Sequence, residues 1–467
     1  MNFSDLFFLY AFLPATLLLY YLIPNIHYRN GVLIVVSLLF YAWGNPPMVL
    51  LLMAVCVINY FLGRGIGTAP GEKKGKIFLA IGLVLNIGLL FVYKYLAFFL
   101  ETANLLPKVS LPVPSLVMPL GLSFFTFRII SYLLDVYWEK VDVERSFSVF
   151  LLFVSLFPCT VAGPIVRYQT ISESLHSRKI SWEDIWYGFM RLSVGLGKKV
   201  ILADQLYIIT EYYFAGSLQN LSVAEAWFAL IVYSMYVYFD FSGYSDMAIG
   251  IARLFGFRFE ENFRYPFVCT TISEFWQRWH ISLGSFFRDY LLYVPIFGKM
   301  RMYGGLFLVW FSTGLWHGAS WNYVIWGLYF GLFILLETKI GKKKMKKIPV
   351  FIRHIYTKLV IVLGFGVFYF TDLSRMGIFF KCLFGLGGNG LIREFSSVYM
   401  MNHLILVLIS LVCIFPWVPF VKRKLERHAV TIAIGESVCG ILLLALFVLS
   451  SIILVSSTNQ PFLYTQF

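Results

Sequence analysis

Ile77-Phe-Leu-Ala-Ile-Gly-Leu-Val-Leu-Asn-Ile-Gly-Leu-Leu-Phe-Val-Tyr-Lys-Tyr-Leu-Ala-Phe-Phe-Leu100 is an apolar run long enough to cross a bilayer, whose hydrocarbon core needs about 20 residues of helix. Similar runs lie on both sides of it. Before it come Leu6–Ile23, Gly31–Tyr41 and Met48–Leu62; after it come Ser115–Tyr137, Phe147–Val161, Trp186–Leu206, Val223–Phe255, Gly304–His317, Tyr323–Glu337, Phe351–Phe370, His403–Phe420 and Val430–Val455. Several are too short to span and read as half-spans, re-entrant helices or tilted pieces enclosed by protein, where broken backbone is tolerated at membrane depth. Of the 467 residues 59% are hydrophobic, 19% aromatic and only 13% charged, with mean hydropathy +0.77. A soluble domain carries roughly 25% charged residues. The chain reads as an all-α polytopic membrane protein, with membrane lipid as its first partner.

The formal charge of +14 does not indicate a nucleic-acid partner. Lys and Arg fall in short loops between apolar runs, the pattern of a topology signal. Arg64 to Lys76, Lys339-Ile-Gly-Lys-Lys-Lys-Met-Lys-Lys347 and Lys422-Arg-Lys-Leu-Glu-Arg427 are expected to face the cytoplasm, which puts both termini outside. The alternative for the lysine run is a docking patch for an acidic partner. The N-terminal run lacks a basic leader and a small-residue cleavage site, so it reads as a retained span. The six cysteines are dispersed without metal-ligand or redox spacing. No soluble domain of useful size interrupts the runs, and no internal repeat is visible, so residues 1–467 read as one membrane domain.

Against this background two polar stretches stand out: Trp276-Gln-Arg-Trp279-His280-Ile-Ser-Leu-Gly-Ser-Phe-Phe-Arg288-Asp289-Tyr290 and Gly314-Leu-Trp316-His317-Gly318-Ala-Ser-Trp321-Asn322. An ionisable group inside a membrane costs roughly 2.5 kcal/mol or more, so these residues are candidates for function. Thr271-Ile-Ser-Glu274 has capping-box spacing and predicts a helix from there through Trp276, His280, Gly284 and Arg288, with Glu274 paired to Arg278. His317 sits beside Gly318, a notch where a ligand or another backbone can approach, with Trp316 and Trp321 as aromatic walls. A neutral imidazole is suited to taking a proton from a hydroxyl. Spacing alone leaves open a purely structural hydrogen bond for His317, and favours a polar network over chemistry for His280. Asp240 and Asp246, six apart on a helix, point to different faces; each is expected to have an Arg or backbone partner rather than to form a carboxylate pair. No phosphate-binding glycine loop, metal motif or Gly-x-Ser-x-Gly elbow occurs, and histidine-centred acyl transfer is the simplest remaining chemistry.

The sequence resembles the membrane-bound O-acyltransferase (MBOAT) family, in its bacterial alginate O-acetyltransferase branch. The resemblance is carried by Met118-Pro-Leu-Gly-Leu-Ser-Phe-Phe-Thr-Phe127, Ser131-Tyr-Leu-Leu-Asp-Val136, Val161-Ala-Gly-Pro-Ile-Val-Arg-Tyr168 and Gly197-Lys-Lys-Val200. It continues through Tyr238-Phe-Asp-Phe-Ser-Gly-Tyr-Ser-Asp-Met-Ala-Ile-Gly250, Glu274-Phe-Trp-Gln-Arg-Trp-His-Ile-Ser-Leu283, Phe287-Arg-Asp-Tyr290, Leu315-Trp-His-Gly-Ala319 and a terminal Phe-x-Tyr-x-Gln-Phe. It implies a ring of about 11–13 transmembrane and re-entrant helices around a thin central wall, with a cytosolic funnel, a tunnel and a catalytic core at roughly 115–338. It implies His317 as general base and His280 as the second family histidine, and makes Trp316, Trp321, Trp276, Trp279, Arg288, Asp289, Asp246 and Asn322 substrate or tunnel-lining candidates. The implied donor is a cytosolic thioester, acetyl-CoA or an acyl-carrier thioester, with no bound cofactor. The implied acceptor is an exported polysaccharide, reached directly or through an extracytoplasmic acetyltransferase partner, at the bacterial cytoplasmic membrane.

Three departures bear on substrate rather than chemistry: Val294-Pro-Ile-Phe-Gly-Lys-Met-Arg-Met-Tyr303 is less glycine-rich than the family's loop, Arg128 stands where a glutamine is usual, and Cys159-Thr160 replaces a more polar pair. The sister activity within the family is D-alanyl transfer to teichoic acid from a carrier-protein thioester, with a cytosolic acyl-carrier protein as partner. A glycan or ion transporter would instead spread titratable residues along several spans and show pseudo-symmetry.

Overall fold

The computed structural model describes residues 1–292, 302–417, 420, 429–456 and 460–463, and among them there is no β-strand. Lys422–Arg427 of the third basic loop, most of the departing loop at 294–301 and Tyr464–Phe467 lie outside the described residues. Among the described residues five helices are long and apolar enough to cross a membrane: Pro47–Gly67, Lys73–Ala103, Trp321–Ile340, Val350–Tyr369 and Ser437–Ser456. Phe8–Leu22, Ile26–Ala42 and Leu404–Cys413 are apolar but shorter, as the abbreviated runs in the sequence lead one to expect. The protein is a multi-pass membrane protein. The chain divides into two compact units, residues 1–192 with 245–261, and residues 193–244 with 262–463.

The first unit contains α1 (Leu13–Leu22), α2 (Ile26–Ala42), α3 (Pro47–Gly67), α4 (Lys73–Leu90), α5 (Leu122–Tyr137) and α6 (Phe147–Ser155). Helix α2 starts where the Asn25 side chain accepts from the His27 and Tyr28 amides. Helix α5 starts later than the apolar run at Ser115 suggests, because Gly121 takes a left-handed φ of +68° and lies against the Thr160 carbonyl, where a Cβ has no room. The run Phe147–Val161 is two helices rather than one: α6 ends at Leu156 (φ −51°, ψ 109°), ahead of Pro158 in the short helix Phe157–Thr160. Phe3, Phe8, Phe40 and Phe157 form a close aromatic cluster. Buried polar groups are held in pairs: Asn59 and Asn86 exchange side-chain hydrogen bonds at 2.6 and 3.3 Å. Arg128, fully buried on α5, donates to the Val154 carbonyl at 3.2 Å and stacks over Phe153.

Helices α7 (Trp182–Gly197) and α8 (Val223–Leu254) contribute residues to both units. The 32 residues of α8 make it about 48 Å long, and it is buried on nearly every side, hence apolar all round. Its two aspartates behave as their spacing implies. Asp246 is held by Arg191, which also clamps Glu261, all within the first unit. In the second unit Asp240 is bound by Lys199 at 2.8 Å and accepts the Leu463 amide at 2.9 Å. Lys199 is fully buried, also reaches Asp204 at 2.8 Å, and lies 4.4 Å from the ring centroid of buried Phe462. The segment at 461–463 thus closes a socket around one lysine, a long-range arrangement that the Gly197-Lys-Lys-Val200 stretch alone does not reveal.

The second unit also holds α9 (Ile272–Trp276), α10 (Ile281–Tyr290), α11 (Met302–His317), α12 (Trp321–Ile340), α13 (Val350–Tyr369) and α14 (Ala429–Ser456). Helices α11 and α12 form a hairpin whose backbones touch. A Cβ at Gly327 would meet the Trp310 carbonyl and come within 3.0 Å of the Gly314 Cα, so the crossing admits only a residue without a side chain at each position. Gly327→Ile therefore forces the hairpin apart and is expected to cost at least about 1–3 kcal/mol. The expected result is loss of the monodisperse peak in size-exclusion chromatography, whereas Gly31→Ala, which meets nothing within 4 Å, leaves it intact. Lys199→Met strands two carboxylates and is expected to destabilise by about 3–5 kcal/mol, read as a lower thermal midpoint that Asp240→Asn added to it partly restores.

Candidate functional site

The polar stretch at 271–290 does not fold as the one helix its spacing predicts. Thr271 caps α9 through its hydroxyl, accepting the Glu274 amide at 3.0 Å, while Glu274 turns back to the Thr270 amide at 2.9 Å and pairs with Arg278 at 2.9 Å, so the expected cap and ion pair are both present. The helix nevertheless stops at Trp276. His280 adopts a left-handed backbone (φ 43°, ψ 53°) and a new helix begins at Ile281. The reason lies outside the stretch: residues 262–264 run alongside 278–281, with the Arg264 amide donating to the Arg278 carbonyl at 2.9 Å and the Ile281 amide to the Asn262 carbonyl at 3.0 Å. These bonds take the backbone groups a continuous helix would use. His280 is therefore not related to Trp276 and Gly284 by regular helical turns. The first turn of α9 is pinned from α12, where buried Glu337 accepts the Ile272 amide at 2.6 Å and the Ser273 amide at 2.8 Å.

His280 and His317 both lie against one indole. The Trp316 ring centroid is 5.5 Å from His280 and 4.9 Å from His317. Both imidazoles are buried, at 1% and 2% exposure. Around His317 the walls are Trp316, Trp326 at 4.7 Å and Phe368 at 5.1 Å. Trp276 joins this cage through Trp326 at 5.5 Å, Trp310 at 4.8 Å and Phe330 at 5.0 Å. Asn322, fully buried, donates to the Val367 and Phe368 carbonyls at 3.3 and 3.0 Å and so holds the end of α13 that carries Phe368. The Nε1 atoms of Trp276 and Trp326 and the Oδ1 of Asn322 are buried without a hydrogen-bond partner. Trp279 packs on Phe275 and against Phe365.

Trp321 is 45% exposed, and Trp326, one helical turn and a residue further along α12, is a buried wall of His317. Arg288 and Asp289 pair with each other at 2.8 Å near the end of α10, with the Arg288 side chain 61% exposed, and such an exposed pair contributes little. Asp246 belongs to the first unit. The notch beside His317 is filled by the chain itself, since the Tyr323 ring occupies the space a Cβ on Gly318 would need. Trp326, Phe368 and Asn262 were not legible as site residues. Trp326 falls inside an apolar run, Phe368 comes from a different span, and the role of Asn262 depends on a long-range backbone pairing.

Two imidazoles in an apolar, aromatic enclosure, with unpaired hydrogen-bonding atoms beside them, form a site where a proton can be taken up in the absence of bulk water. Residues 49–379 match the MBOAT, membrane-bound O-acyltransferase, family. The chain is 37% identical over 396 residues to a probable alginate O-acetylase from Pseudomonas syringae, covering 83% of this chain and 76% of the relative. It is 32% identical over 424 residues to a peptidoglycan O-acetyltransferase from Helicobacter pylori, covering 83% and 80%. To a teichoic acid D-alanyltransferase from Bacillus subtilis it is 30% identical over 260 residues, covering 52% and 65%. Since the match takes in every element of the histidine site and most of the chain, this membrane protein belongs to the MBOAT family and is an O-acyltransferase.

Proposed function

We propose that the chain moves an acetyl group from a cytosolic acyl thioester, acetyl-CoA in the simplest case, across the membrane toward hydroxyls of an exported cell-surface polysaccharide. The observation that carries this reading is the aromatic enclosure of His317, with Trp326 at 4.7 Å and Phe368 at 5.1 Å. His317 is the general base. It removes the proton from an acceptor hydroxyl as that oxygen attacks the thioester carbonyl; the carbon–sulfur bond breaks, and the leaving thiolate takes up the proton. The buried indole N–H groups of Trp276 and Trp326 and the Asn322 carbonyl oxygen have hydrogen-bonding capacity left over. A bound acyl chain with its amide and carbonyl groups would satisfy such atoms, each of which otherwise costs about 1–3 kcal/mol.

Acetyl is favoured over D-alanyl because the acetyltransferase relatives align over 83% of the chain and the D-alanyltransferase over 52%. The D-alanyl reading, with a carrier-protein thioester as donor, remains the second. The acceptor hydroxyl belongs to the glycan or to an extracytoplasmic acetyltransferase that passes the group on. The chain works in the bacterial cytoplasmic membrane, with the basic loops inside and both termini outside.

His317→Ala should abolish acyl transfer, a fall of at least about a hundredfold, in protein that still purifies as a single species. Unchanged surface-glycan acetylation by that variant, in cells lacking the native gene, would exclude His317 as the base. For the donor, purified protein given radiolabelled acetyl-CoA or a D-alanyl carrier-protein thioester should release product from the first alone. Label leaving only the carrier would assign the D-alanyl activity.

A further inference from the structure

We infer that Asn262 is a positioning residue that locks His280 in a single neutral tautomer, with its proton on Nδ1 and its lone pair on Nε2. The inference rests on the acyl-transfer reading for its functional consequence, but its structural content stands separately. Three groups converge on the Asn262 side-chain oxygen: the Ser282 amide at 3.2 Å, the Ser282 hydroxyl at 2.8 Å and His280 Nδ1 at 3.1 Å. A backbone N–H can only donate, so the Asn262 atom that faces Ser282 must be the carbonyl oxygen and not the amide nitrogen. That oxygen accepts from every neighbour. His280 Nδ1 must therefore carry a proton to bond with it, and in the neutral ring Nε2 is then the acceptor.

The same residue also holds the backbone in place. The Ile281 amide donates to the Asn262 carbonyl at 3.0 Å, so Asn262 holds the chain just after His280, while the Arg264 amide, donating to the Arg278 carbonyl at 2.9 Å, holds it just before. The left-handed conformation at His280 is one that a non-glycine residue holds only when its surroundings dictate it. Phe241 at 4.7 Å and Trp316 at 5.5 Å flank the ring on apolar sides. Ring direction and tautomer are thus both fixed from one asparagine, 18 residues earlier in the chain. A wrong tautomer turns an N–H toward whatever the Nε2 lone pair faces, and an orienting partner of this kind is worth roughly ten- to a hundredfold in activity.

The decisive measurement is nitrogen NMR on protein labelled with 15N-histidine in lipid nanodiscs, with the His280 signals assigned by their loss in His280→Gln. The expected spectrum shows a protonated Nδ1 and an unprotonated Nε2. Asn262→Asp keeps an acceptor oxygen and is expected to keep that pattern. Asn262→Ala is expected to give mixed tautomers, with kcat about ten- to a hundredfold lower, KM little changed, and activity below that of Asn262→Asp. A proton on Nε2 in the unmodified protein, or an unaltered tautomer in Asn262→Ala, overturns the inference. If Asn262→Ala does not fold, the spectrum of the unmodified protein alone decides. Failure of the acyl-transfer reading is seen independently, as activity surviving in His317→Ala.

Discussion

A helix that ends inside protein must find partners for its unpaired amides and carbonyls, and this requirement governs the second unit. The break between α9 and α10 exists because Asn262 and Arg264 take up the backbone groups at 278–281, and because Glu337 accepts two amides at the start of α9. Remove those partners and a continuous helix would be the lower-energy choice, carrying His280 round to another direction. The site is thus built less by the stretch that contains the histidine than by two distant segments that make its irregular path tolerable.

Charge is handled by the same economy. Lys199 has two carboxylates within 2.8 Å, Arg191 has two of its own, and the Asn59–Asn86 pair is self-contained. In surroundings this apolar an unbalanced ion costs several kcal/mol, and each charge cluster consequently becomes a point where separate helices are tied together. The histidines are the contrast: the rings packed around them are aromatic and carry no formal charge.

Class, helical content and most apolar runs were legible from the amino-acid pattern, because burial in lipid imposes a composition that nothing else does. So were the Thr271 cap, the Glu274–Arg278 pair and the separation of Asp240 from Asp246, which depend on neighbours within a few residues. The site was legible only in part. His280, Trp316 and His317 do share one enclosure, but Trp326 joins it from inside an apolar run, and Asn262, Phe368 and Glu337 enter through contacts 18 to 65 residues apart in the chain. Periodicity describes a residue's own element and is silent about which element arrives opposite it. The kink at His280 was unreadable for that reason: locally the residues favour a helix, and the tertiary pairing overrides them.

The left-handed backbone at His280 also bears on how this position is selected. Glycine would sit there without strain, and histidine holds it at a cost of about 1–2 kcal/mol. Mutation toward glycine would therefore relax the backbone, yet the position holds the bulkier, costlier residue. His280→Gly therefore separates the two contributions of this position, deleting the ring while relaxing the backbone that carries it.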